Sequence, residues 1–132
     1  MKRLLLAITA FICVQIVQAQ DAQATATGTI YNDSIVDIKS DFPGGIENFY
    51  KLFKQEFKPP NVRGLVDKIM LSFVVEKDGA LSDIRVIHDA GFGTGEQARR
   101  ILETSPKWLP GTKNGKNVRV QRWLPIAVLT EE

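Results

Sequence analysis

Lys68-Ile69-Met70-Leu71-Ser72-Phe73-Val74-Val75-Glu76-Lys77-Asp78-Gly79-Ala80-Leu81-Ser82-Asp83-Ile84-Arg85-Val86-Ile87-His88 is the stretch that decides the fold. Ile69, Leu71, Phe73 and Val75 take alternate positions, so a strand over 68–75 has one wholly apolar face. Glu76-Lys77-Asp78-Gly79 is a turn signal, with Asp-Gly suited to positive φ. Leu81 to His88 returns as a second strand, with Ile84 and Val86 facing in and Asp83 and Arg85 facing out. Together they predict a β-hairpin.

The segments on either side supply what covers that apolar face. Upstream, Phe42-Pro43-Gly44-Gly45 reads as a turn leading into a helix over 42–58. Ile46, Phe49, Tyr50, Phe53 and Phe57 recur at helical spacing and form one stripe, best read as the face packed on a sheet. Pro59-Pro60 stops the helix, because proline lacks the N–H and restricts the residue before it. Downstream, Asp89 to Gly95 is a glycine-rich loop. A second helix follows, with Thr94 as N-cap and Gln97 placed to complete a capping box. Ala98, Ile101 and Leu102 are its buried stripe, and Ser105-Pro106 ends it. After turns at Trp108-Leu109-Pro110-Gly111 and Asn114-Gly115, a last strand runs from Val118 to Leu129. Val118, Val120, Leu124, Ile126 and Val128 share a face that Arg122 interrupts. Pro125 cannot donate to a ladder, so this strand belongs on a sheet edge with one side open. The expected fold class is α+β: two helices on one face of a three-stranded antiparallel sheet, in the order α-β-β-α-β, over a domain at 42–129.

The chain has 132 residues, which suits one domain. Lys2 and Arg3, the apolar run from Leu4 to Val17, and Val17-Gln18-Ala19 form a secretory signal over 1–19. The alternative, an anchor in the inner membrane, needs roughly 20 apolar residues to span, and the run is shorter. Of 17 Lys plus Arg and 15 Asp plus Glu, Lys2 and Arg3 leave with the signal, so the mature chain has 15 of each. Attraction to nucleic acid or to anionic lipid is therefore not indicated, and no membrane insertion is expected after cleavage. Cys13, the single cysteine, leaves too, which excludes disulfides and thiol chemistry. Residues 20–41 read as a flexible tether, within which Ile30, Ile35, Val36 and Ile38 are compatible with a short edge strand.

Little in the chain supports catalysis. His88 is the only histidine, and no serine sits in a nucleophile-elbow context. Zinc needs three or four clustered ligands, and calcium a loop spacing that Asp78 and Asp83 lack. Gly91-Phe92-Gly93-Thr94-Gly95 lacks the Gly-Lys-Ser/Thr ending of a phosphate loop. Lys107, Lys113, Lys116, Arg119 and Arg122 lie near Trp108 and Trp123 and read as a solvated face or a contact for acidic segments. The expectation is a protein-binding module, not an enzyme, with no cofactor and no metal.

The order of these pieces resembles the C-terminal domain of TonB. Phe73 to Gly79 and Leu81 to Val86 look like that family's first hairpin, and Gln97 to Leu102 its following helix. Trp108-Leu109-Pro110-Gly111, Asn114 to Val120 and Leu124-Pro125-Ile126 match its closing signature. The likeness spans roughly Phe42 to Val128. It implies a periplasmic protein that grips an extended segment of an outer-membrane transporter by strand addition in energy-coupled transport. Carried over by position, the pairing edge is Val118, Arg119, Val120, Gln121, Arg122, Trp123, Leu124, Pro125 and Ile126, with Phe42 and Pro43 near the bound segment. The same open edge allows a homodimer, or a self-associating structural envelope protein with no transport role. A complete TonB carries a proline-rich spacer; residues 20–41 contain no proline and reach only about 70 Å when extended.

Overall fold

The hairpin read from the sequence is present in the computed structural model, which describes residues 28–132. The signal over 1–19 and the start of the tether, 20–27, lie outside the described residues. In chain order the elements are β1 (Ile30–Asn32), a 3-10 turn (Asp33–Ile35), α1 (Ile46–Glu56), β2 (Val66–Val75), β3 (Leu81–His88), α2 (Thr94–Glu103), β4 (Gly111–Lys113) and β5 (Lys116–Leu129). The fold is α+β, and the sheet order is β1-β5-β2-β3, with β4 paired to β5.

Alternation does what it predicts. Ile69, Leu71, Phe73 and Val75 of β2 are buried on the helix side, as are Leu124, Ile126 and Val128 of β5. Phe49 and Phe53 from α1, and Ala98, Ile101 and Leu102 from α2, join them in one core. Both helices therefore cover the same face of the sheet. β2 lies antiparallel to β5 over its whole length, from Val66↔Leu129 to Val75↔Val120, and this long central pairing fixes which residues face the helices. Trp108 sits at the middle of the core, 2 % exposed, edge-on to Phe42 at 5.4 Å and to Phe73 at 5.1 Å. The hairpin turn is fastened to it: Trp108 N–H donates to the Gly79 carbonyl at 2.9 Å. A Cβ on Gly79 would stand 2.1 Å from the Trp108 carbonyl oxygen, so only glycine fits there, and its φ of +88° suits glycine as well.

Four expectations are corrected. The sheet has five strands, not three, and is mixed, because β1 lies parallel to β5 (Ile30↔Arg119, Tyr31↔Val120, Asn32↔Gln121) and β4 forms a hairpin with it. The described part of the expected tether, 28–41, is not free. It contains β1, and it bridges to the β4 region through Ile38↔Thr112 and Asp41↔Leu109, with Ser40 fully buried. The first helix starts at Ile46, after the Phe42–Gly45 turn, and ends at Glu56. Thr94 is the first helical residue and Gly93 the N-cap, and no capping box forms. Gln97 instead accepts from the Lys58 N–H at 2.5 Å and donates to the Lys58 carbonyl at 3.1 Å, tying the end of α1 to α2.

Candidate partner-binding edge and groove

In an antiparallel ladder the backbone N–H and C=O of alternate residues point to the same side. Pro125 has no N–H, and its carbonyl accepts the Tyr50 hydroxyl at 2.8 Å, so residue 125 faces away from β2 although it pairs with Met70. Trp123, Ala127 and Leu129 share that parity and that direction, as do Arg119 and Gln121. Sheet order puts β1 on this same outer side, over Arg119 to Gln121 only. The edge expected from Val118 to Ile126 is therefore divided. Its first part is taken by the chain's own β1. From Trp123 to Leu129 no strand covers it among the described residues, and the backbone groups of Trp123, Ala127 and Leu129 are unpartnered.

The covered part is held by two arginines. Arg119 makes a two-pronged pair with Glu76 (Nε–Oε1 2.7 Å, Nη2–Oε2 3.1 Å) and donates to the Gly28 carbonyl at 3.0 Å. Glu76 is buried and also accepts the Ser82 hydroxyl. Arg122, which interrupts the apolar face, lies over the Trp108 ring at 5.7 Å, pairs with Asp33 at 3.1 Å and donates to the Ser40 carbonyl. The basic run is thus not one solvated face: Arg119 and Arg122 fasten the N-terminal arm to β5. Nothing in the local pattern singles out Asp33 or Ser40, whose partners lie far along the chain.

The open part borders a groove. Tyr50, Phe53 and Phe57 of the α1 region and Pro59 form one wall, and Pro125 to Leu129 form the other, around about 930 Å³. Phe57 stacks on Phe53 at 4.7 Å. The stripe that reads as sheet-packing therefore serves two purposes: Phe49 and Phe53 are buried, while Tyr50 and Phe57 keep a half-buried surface on the groove. Burial raises the Tyr50 phenol above its ordinary value, against the opposing charge of Arg122, so its hydroxyl remains a donor to Pro125. Phe42 is not near this edge as a free contact. It is 6 % exposed, packed on Trp108 and Phe49, and the Pro43 carbonyl accepts from Asn48.

The glycine-rich loop is occupied by its own acid. Asp89 Oδ1 accepts from Gly91 N–H at 2.8 Å, from the Thr94 hydroxyl at 2.9 Å and from Gly95 N–H at 3.1 Å. Its carboxylate stands where an anion would bind at the start of α2. Partial desolvation would raise the Asp89 carboxyl, but these hydrogen bonds outweigh it and hold it below the usual carboxylate range. His88 lies at the other end of the hairpin, 3.0 Å from Asp67, with both side chains exposed. Among the described residues no helix is long and apolar enough to cross a membrane.

A family profile described as Gram-negative bacterial TonB protein C-terminal matches residues 61–127, just over half of the chain. No curated protein and no solved structure matches the chain. The matched span covers β2, β3, α2, β4 and nearly all of β5, the elements that carry the core and the divided edge. On that match and on the α+β fold that accompanies it, the chain belongs to the family of TonB C-terminal domains.

Proposed function

We propose that this domain is a periplasmic interaction module that takes an extended segment of an outer-membrane transporter as an added strand along β5, from Trp123 to Leu129. One observation carries the proposal: an unpaired, outward-facing stretch of backbone beside an apolar groove, on a strand whose other side is fully paired. Unpaired N–H and C=O groups on a sheet edge are a template for another chain. The family to which the chain belongs is one of Gram-negative envelope interaction domains, which agrees with such a partner. Energy coupling would further require residues 4–17 to hold the inner membrane, and those residues lie outside the described part.

Pairing of two β5 edges would give the self-associating alternative. It is less favoured than a foreign strand, because each β5 would bring its own gap at residue 125, which offers no N–H and whose carbonyl is engaged by Tyr50, whereas a foreign segment meets that gap once. The test is cross-linking in a Gram-negative host, with a photo-reactive residue in place of Ala127 and a control at Arg85 on β3. The expected result is a conjugate with an outer-membrane transporter at 127 and none at 85. Conjugates only between copies of the chain at 127 would replace the transporter reading with self-association.

A further inference from the structure

The groove wall formed by α1 lies upstream of residue 61, outside the residues that the family profile matches. Resting on the proposed strand addition, we infer that this groove selects the added segment by its side chains: an apolar residue seated against Tyr50 and Phe57, next to a carboxylate that meets Lys54 and Lys68.

Three observations support this. The backbone ladder alone reads poorly here, because Pro125 gives the incoming strand neither donor nor free acceptor. What remains open is Trp123 on one side of that gap and Ala127 and Leu129 on the other, so selectivity must come from side chains. The groove is apolar beside Ala127 and Leu129, where an alternate side chain of an added strand would enter. Its charged lining residues are both cationic. Lys54 and Lys68 are exposed, and neither is in an ion pair among the described residues. Lys68 pairs across the ladder with Ala127, and both line the groove. An acid-free apolar slot flanked by two unpaired ammonium groups is complementary to an apolar–acidic extended segment and repels a basic one.

The test uses the full chain, isotope-labelled, and three short capped peptides as probes. One alternates leucine with threonine and glutamate, the second has lysine for glutamate, and the third has serine for leucine. The glutamate peptide should shift the amides of Trp123, Ala127 and Leu129 and bind roughly fivefold more tightly than the lysine peptide, as exposed ion pairs allow. The difference should shrink as salt is added. The serine peptide should bind about tenfold more weakly than the leucine one. The double variant Lys54→Glu with Lys68→Glu, changed only at exposed positions, should reverse the glutamate-over-lysine preference. Equal binding of all three peptides at this edge would overturn the groove inference and leave strand addition standing. Shifts confined to other surfaces, or none at all, would remove both.

Discussion

The two halves of β5 have the same alternating pattern and opposite fates. From Arg119 to Gln121 the outer edge is closed by β1, and two arginines bind the arm that carries it. From Trp123 to Leu129 the same edge is bare, with α1 standing off across a groove. From Val120 to Leu129 the inner side of the strand is one continuous ladder with β2. The difference teaches that strand pattern fixes which face is buried, whereas the availability of an edge depends on what other segments reach it.

The largest test of this comparison strikes what both halves share. Trp108→Ala removes a fully buried indole in contact with Phe42, Phe49, Phe73 and Arg122, and should cost about 3–5 kcal/mol in chemical denaturation. Both halves would lose protection together. Arg122→Ala should separate them. It leaves Asp33 without its cation, with only the Ser40 hydroxyl still donating to it, and uncovers the Trp108 ring. The expected loss is roughly 2 kcal/mol, below that for a fully buried pair because Asp33 keeps a quarter of its side chain exposed. Amides of β1 should then exchange faster while those of Leu124, Ile126 and Val128 stay protected; equal loss in both halves would mean that the arm is not a separate closure.

Tyr50→Phe acts on the open half alone. It deletes one half-exposed hydrogen bond to Pro125 and should cost about 1 kcal/mol or less in the same denaturation experiment. The smallest effect needs no mutation. In native hydrogen exchange the amides of Trp123, Ala127 and Leu129 should exchange quickly and those of Leu124, Ile126 and Val128 slowly, because only the latter face β2. Slow exchange at Ala127 would show that the edge has a partner already.

Much of this was legible from residues alone. The alternation at Ile69 to Val75, the helical stripe from Ile46 to Phe57 and the turn at Asp78-Gly79 are local patterns, and each gave the element found. Pro125 marked a stretch with one open side, because a missing N–H has the same consequence wherever the strand is placed, but β5 as a whole is not an edge strand: it lies between β1 and β2. Arg122 was legible as an interruption but not as a fastener, since its partners Asp33 and Ser40 are far away in the chain. Phe42 resembled a contact beside the edge and proved to be core, because Trp108 folds back onto it.

The sequence by itself determined the period of each element, the apolar faces, the hairpin and the existence of an open strand edge, all properties of neighbouring residues and their backbone geometry. Only the tertiary structure decided how much of that edge stays open. Closure by β1 depends on Ile30 to Asn32 meeting Arg119 to Gln121, on the Arg122–Asp33 ion pair and on the hydrogen bond from Arg119 to the Gly28 carbonyl. Such pairings arise between segments distant in the chain, and no local period encodes them.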